Sequence, residues 1–201
     1  MLKHLSENLL NHIFIGYLEF VDKTSSIRIN SKDLITKDQM IGYWHGDSYP
    51  MQLILKHISK PSKNINVIVT ADTRGNYIEK ILNHYDAIAL RLPDGFHMKP
   101  FLKHLKIESQ KENLILACAL DGPIGPLHEA KKLLFLLSKE SNKPLLYFHF
   151  KYSAAIRLTK RWDNYVIPLP FTKITATVEE LGVITPEYLR EFHSKKHELI
   201  F

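Results

Sequence analysis

Leu114-Ile115-Leu116-Ala117-Cys118-Ala119-Leu120 runs directly into Asp121-Gly122-Pro123-Ile124-Gly125-Pro126, and a helix-like segment follows from Glu129. The first stretch is a short continuous apolar run, the pattern of a strand buried on both faces. The second puts a carboxylate, two glycines and two prolines where that strand gives way to a helix. In open α/β sheets, ligands bind outside the carboxyl ends of the strands. Glycine lets a backbone approach a ligand closely, and proline stiffens the loop that does so. A tight strand-to-helix turn with no chemistry accounts for the six residues equally well.

Upstream, Asn66-Val67-Ile68-Val69-Thr70 is a β-branched run of the same kind. Ser26-Ile27-Arg28-Ile29, Met40-Ile41-Gly42-Tyr43-Trp44 and Ala87-Ile88-Ala89-Leu90 read as shorter strands. Helical patterns cover Tyr49 to Ser59, Arg74 to Asn83 and Phe96 to Ile107, the last with Pro100 in its first turn. Lys60-Pro61-Ser62-Lys63 is a break. Downstream, a helix is expected over about 129–140, with strands at Pro144 to Phe150 and Lys173 to Val178. A polar and aromatic stretch separates those two strands. Thr185 reads as the N-cap of a final helix, with Pro186 at its first position.

At the N-terminus, Leu2, Leu5, Leu9 and Ile13 recur at helical steps and predict an amphipathic helix over about residues 2–21. Such a helix either packs on its own domain or lies on a membrane surface. The alternation of strand and helix predicts one α/β domain spanning residues 1–201. The expected architecture is a sandwich, its mixed and mostly parallel sheet flanked by helices.

Composition excludes several classes. A chain of 201 residues can bury a sizeable core, and 45% hydrophobic with 24% charged residues is globular rather than disordered. The net charge of +6 favours anionic partners, although the basic residues are spread along the chain. One cysteine, Cys118, builds no disulfide framework. No apolar run approaches the roughly 18 residues of a membrane span. Glu7, Asn8, Asn11 and His12 interrupt the N-terminal apolar residues, so no signal peptide is expected. Cytoplasmic location is the expectation, and the N-terminal helix leaves peripheral contact with the inner face of the cell membrane as an alternative. The chain has no Gly-x-Ser-x-Gly elbow, phosphate-binding P-loop, Gly-x-Gly-x-x-Gly or His-Glu-x-x-His motif. No metal site, and no binding of nucleic acid, is expected from it. Lys151-Tyr152 through Lys160-Arg161-Trp162 is its nearest approach to a basic, aromatic nucleic-acid patch.

His45 is the leading catalytic candidate. It stands just past a strand end in Tyr43-Trp44-His45-Gly46-Asp47-Ser48, and imidazole can take a proton from a hydroxyl near neutral pH. A carboxylate would orient it: Asp47 is close in sequence, and Asp72 ends the next strand. A histidine that only caps a turn is the alternative. His149 alternates within a strand and reads as structural. His97 and His104 share a basic helix with Lys99, Lys103 and Lys106, whose face suits either phosphate or solvent. Asp121 with Asp72 is a weak candidate pair for a divalent cation.

Three matches together resemble a bacterial family of lysophospholipid acyltransferase-like proteins, long labelled domain of unknown function 374. These are Trp44-His45-Gly46 after a strand, the Asp121-to-Pro126 stretch, similar to the family's Asp-Gly-Pro-x-Gly-Pro, and Trp162-Asp163 followed by Pro168-Leu169-Pro170-Phe171. Their spacing fits over about residues 10–180. The resemblance implies an acyltransferase-type α/β fold with its site at the mouth of the sheet, close to a membrane. It implies a histidine that deprotonates an acceptor hydroxyl, which attacks an acyl thioester without a covalent acyl-enzyme. His45 would be that base, with Asp47 or Asp72 as its orienter. Arg91, Asp121, Gly122, Pro123 and Gly125 would bind substrate.

The chain departs from the pattern at several places. Pro50 stands where the wider superfamily has an acidic residue five positions after the histidine. Thr73-Arg74-Gly75-Asn76 replaces Arg-Asp-Gly-Glu, Leu92-Pro93 follows Arg91 in place of Gly-Ser, and Tyr147 replaces a proline. The expected function is therefore that of a divergent acyltransferase using acyl-CoA or acyl carrier protein as donor, with no further cofactor. Its acceptor would be a lipid or glycolipid hydroxyl. The alternative is a non-catalytic relative that binds a lipid or a protein partner.

Overall fold

The computed structural model describes residues 2–59, 64–93 and 98–195, apart from the side chains of 2–8, 73, 74 and 195. Along the chain come α1 (Leu2–Thr24), β1 (Ser26–Asn30), β2 (Gln39–Tyr43), α2 (Ser48–Ile58), β3 (Asn64–Thr70) and α3 (Thr73–His84). Next are β4 (Ala87–Leu92), α4 (Met98–Ser109), β5 (Leu114–Ala119), α5 (Leu133–Ser141) and β6 (Leu145–Tyr152). The chain then runs through β7 (Ala155–Leu158), β8 (Tyr165–Pro168), β9 (Lys173–Gly182), α6 (Pro186–Arg190) and α7 (Phe192–Lys195).

A 7-stranded sheet has the order β1-β9-β6-β2-β5-β3-β4, and β7 and β8 form a separate hairpin. β6, β2, β5, β3 and β4 are parallel neighbours; β9 runs antiparallel to β6, and β1 parallel to β9. This is the mostly parallel α/β sheet that the alternation predicts.

The central strands are apolar throughout because helices cover both of their faces. On one face, Ile41 of β2, Val67 of β3 and Phe148 of β6 pack with Met51, Ile54 and Leu55 of α2 and Leu82 of α3. On the other, Met40, Leu116 and Tyr147 pack with Leu105 of α4 and Leu134 and Phe135 of α5. α1 joins the first face through Leu18 and Val21, which pack with Tyr49 and Leu53 of α2 and Ile81 of α3.

The connections decide where a site can form. After β2 the chain crosses to the face of α2; after β5, its hydrogen-bonded neighbour, it crosses to the face of α5. Two adjacent parallel strands whose connections leave in opposite directions open a crevice at their carboxyl ends. Tyr43 and Ala119 are register partners at that edge, so Trp44-His45 and Leu120-Asp121 lie across it.

Several elements differ from expectation. The helix expected from residue 129 begins at Leu133, because residues 121–132 are held as a loop: Lys131 N–H donates to Leu120 O at 2.8 Å and Glu129 N–H to Pro126 O at 3.2 Å. The stretch after β6, left without regular structure by sequence, contains the β7–β8 hairpin. The final helix divides into α6 and α7, although Thr185 caps it as expected, accepting from Tyr188 N–H at 3.1 Å. The break at Lys60-Pro61-Ser62-Lys63, and Phe96 and His97 at the start of the basic helix, lie outside the described residues, as do the side chains of Leu2 and Leu5. No helix among the described residues is long and apolar enough to cross a membrane.

α1 is docked rather than detached. Leu18 is fully buried, whereas Leu9 is 64% exposed. The Tyr17 hydroxyl donates to Pro168 O at 2.9 Å and the Tyr49 hydroxyl to Phe14 O at 2.9 Å. Leu18→Ala should therefore cost about 2–5 kcal/mol in denaturant unfolding. Leu9→Ala should stay within about 0.5 kcal/mol of the parent. Equal losses for the two would contradict this packing.

Candidate active site

The chain leaves β2 through Trp44, in extended conformation, and enters a single 3-10 turn at His45–Asp47. That turn bends the backbone over the end of the sheet. Asp47 N–H donates to Trp44 O at 2.9 Å and the Ser48 hydroxyl to His45 O at 2.6 Å. His45 N–H reaches across the crevice and donates to Asp121 Oδ1 at 2.9 Å. The other oxygen of Asp121, Oδ2, accepts His128 N–H at 3.4 Å. One carboxylate thus ties the β2 exit to both ends of the loop that follows β5.

Asp121 is fully buried. Burial pushes its carboxyl up to about 6 despite the donated amides, and the charge of Asp163 pushes the same way. Gly122 and Gly125 have φ of 68° and 73°, the left-handed region in which glycine is unstrained. A Cβ on Gly125 would sit 2.6 Å from Trp162 Cε3, so the loop is closed by an indole lying against its backbone.

Trp162 belongs to the turn of the β7–β8 hairpin, which folds over the β2 exit. The fit is tight: a Cβ on Gly46 would lie 2.3 Å from Asp163 O. The hairpin turn brings two groups to the imidazole of His45. The Trp162 ring lies 5.4 Å away, tilted by 33°. Asp163 Oδ2 lies 3.9 Å from His45 Nε2. The side chain of His45 is 21% exposed, with its Nδ1 buried, and that of Asp163 is fully buried, so solvent reaches the ring only in part and a carboxylate stands on its Nε2 side.

Arg161 holds that carboxylate in bidentate fashion, Nε to Oδ1 at 2.9 Å and Nη2 to Oδ2 at 2.6 Å. Burial alone would raise the Asp163 pKa. The hydrogen bonds and charge of Arg161, with a smaller contribution from His45, outweigh that and hold it below the usual carboxylate range. Asp163 is therefore an anion at neutral pH, placed to stabilise a positive imidazolium.

The residues singled out by sequence separate into three groups. His45, Asp121, Gly122 and Gly125 meet at the crevice. Gly122 N–H is turned back to Ala119 O at 3.4 Å, and Ile124 beside Pro123 is 84% exposed. Asp47 accepts from the Tyr152 hydroxyl at 2.7 Å; burial pushes its carboxyl up to about 6, against that bond and the charge of Arg157.

Asp72 and Arg91 form the third group, two and three strand positions from β2, or about 10 and 14 Å along the sheet. Asp72 Oδ1 accepts Gly75 N–H at 3.2 Å and the Thr70 hydroxyl at 2.9 Å, a helix cap for α3. Arg91 Nη2 donates to Ala71 O at 3.0 Å, Asp72 O at 3.1 Å and Asn76 Oδ1 at 2.6 Å. Both side chains brace the β3–α3 turn. Among the described residues, no group of three or more His, Cys, Asp or Glu side chains is placed to hold a metal ion.

Asp163 and Arg161 are the residues that spacing arguments miss. The Trp162-Asp163 pair was part of the resemblance, but nothing near it in sequence connects it with His45. Among known proteins, no family model and no curated protein matches the chain.

The two raised carboxyls give a pH signature. An acid whose folded pKa is raised contributes stability below its unfolded value, here 3.8, and loses it as pH rises through about 6. Asp47→Asn keeps an acceptor for Tyr152 and removes the ionisation. Thermal unfolding should find the variant matched to the parent near pH 4 and more stable than it at pH 7, with the gap opening between about 4 and 6. A constant difference across that range would contradict the assignment.

Proposed function

We propose that the chain is a divergent acyltransferase, moving an acyl group from a thioester donor to the hydroxyl of a lipid or glycolipid, with His45 as general base. The observation that carries this reading is the part-buried imidazole of His45 at the sheet's carboxyl edge, with a buried, arginine-held carboxylate 3.9 Å from its Nε2. A base of this kind needs a group behind it that favours the imidazolium formed in the transition state. Asp163 supplies it in place of the acidic residue missing at Pro50. The 3.9 Å separation is longer than a hydrogen bond and would shorten once substrate is in place.

The chemistry balances without a further cofactor. The acceptor hydroxyl gives its proton to His45 as its oxygen attacks the thioester carbonyl. The new C–O bond forms, the C–S bond breaks, and the leaving thiolate takes the proton from the imidazolium. Backbone N–H groups or an arginine would stabilise the developing oxyanion. Exposed Leu9, Ile13 and Phe20 on α1, with the exposed Phe171 ring 6.1 Å from Phe20, support peripheral contact with a membrane surface.

A second reading, a non-catalytic lipid- or partner-binding relative, is favoured by one observation. Asp72, expected to orient His45, and Arg91, expected to bind substrate, are committed to the β3–α3 turn. Native mass spectrometry that finds bound lipid, with no turnover of any thioester, would favour it.

His45→Ala should abolish acyl transfer with the fold intact. Asp163→Asn should lower kcat by about 10²-fold or more, since it removes the charge behind the base. Steady-state kinetics with acyl-CoA and acyl carrier protein donors check both. Unchanged turnover in His45→Ala would remove it from the mechanism.

A further inference from the structure

The sheet face opposite α1 is only partly covered. α5 packs over β2 and β6, where Leu145 and Tyr147 join the apolar cluster, but beyond them the same face turns polar. Alternation makes this unambiguous. Ile27 and Ile29 of β1, Ile174 and Ala176 of β9 and Phe150 of β6 point to the α1–α2 side. Arg28, Lys173 and Lys151 therefore point the other way, and all three are exposed.

The register gathers them. Thr175 of β9 is the partner of Arg28 on one side and of Lys151 on the other. The two cations flank it at about 10 Å from one another. Lys173 lies two residues along β9, about 7 Å away. Among the described residues, none of the three cations is paired with a carboxylate. The carboxylate at the far end of this face, Glu179, is engaged by His149 at 3.1 Å.

The row also reaches the functional edge. Lys151 is near the carboxyl end of β6, the strand beside β2, and Tyr43 and Phe148 are register partners just before it. β9 and β1 run the opposite way, so Lys173 and Ser26 begin them at that same edge.

We infer that this open cationic face, Arg28, Lys151 and Lys173 around Thr175, docks the acidic surface of a carrier protein that presents the acyl thioester to His45. The choice of cargo rests on the acyl-transfer reading; the choice of an acidic protein rests on the face itself. Side chains at its centre are hydroxyls and amides, Thr175, Thr177 and Asn30, with no apolar group to enter a bilayer. It has no exposed aromatic platform for stacking bases. A flat, polar, unpaired row of cations is complementary to a row of carboxylates, and such complementarity steers encounter and fixes orientation.

Fluorescence anisotropy of labelled holo-acyl carrier protein tests this. The wild-type chain should bind it saturably, and more weakly as salt rises. The combined Arg28→Glu, Lys151→Glu and Lys173→Glu variant should bind about tenfold or more weakly, yet unfold at the parent's temperature and keep transfer from acyl-CoA. Unaltered affinity in that variant, no saturable carrier binding, or charge-dependent binding of this face to phosphatidylglycerol vesicles or RNA instead would overturn the inference. Patch-dependent carrier binding by a chain that transfers no acyl group would sink the catalytic reading and the delivery of a thioester to His45, and leave the carrier-docking face standing.

Discussion

A buried carboxylate, that of Asp121, spans the crevice between β2 and β5 and holds the main chain on both sides of it. Those strands send their connections to opposite faces of the sheet, so without a bridge the backbone at their ends has unpaired N–H groups facing a gap. Asp121 accepts the amides of His45 and His128. Hydrogen bonds to a charged acceptor contribute about 1.5–3 kcal/mol each, which offsets part of the cost of burying the carboxylate. The remainder of that cost shows in a carboxyl raised to about 6. The contacts of Asp121 are thus with the backbone it positions. The Asp-Gly-Pro loop is the frame of the site, and His45 is the group it presents.

The second constraint is contact between two glycines and the β7–β8 turn. Gly46 leaves room for Asp163 O, and Gly125 leaves room for the Trp162 indole. Those two approaches fix the turn of the hairpin, while β8 is held by Tyr165 and Ile167, which pack with α1 and α2, and most of β7 is exposed. With the hairpin in place, the Arg161–Asp163 pair stands behind the imidazole. The acidic partner of His45 therefore comes from across the fold rather than from the next turn of α2, where Pro50 is buried.

Much of the fold was legible because strands buried on both faces announce themselves as β-branched or apolar runs, as at Val67-Ile68-Val69 and Leu114-Ile115-Leu116. The hairpin was not, because β7 is only 4 residues long and its Ile156 and Leu158 lie exposed, adding to no buried core. Glu129-Ala130-Lys131-Lys132 has the composition of a helix, yet hydrogen bonds to Leu120 and Pro126 keep it a loop; tertiary contacts outweigh propensity there. At the site, His45 and Asp121 were visible as residues at strand ends. Asp47 looked like an orienter because it is near in sequence, but the 3-10 turn delivers its carboxylate to Tyr152. Asp72 and Arg91 were legible as polar groups at strand ends, while their use as a helix cap and a turn brace depends on contacts that spacing does not encode.

The position of His45 depends on Asp121 as a backbone clamp. Amide hydrogen exchange at His45, compared between the parent and Asp121→Ala, measures this directly. Loss of the buried acceptor should speed exchange at His45 by about tenfold or more while the β2 amides keep their protection. Equal exchange at His45 in the two proteins would show that something other than Asp121 holds His45 in place.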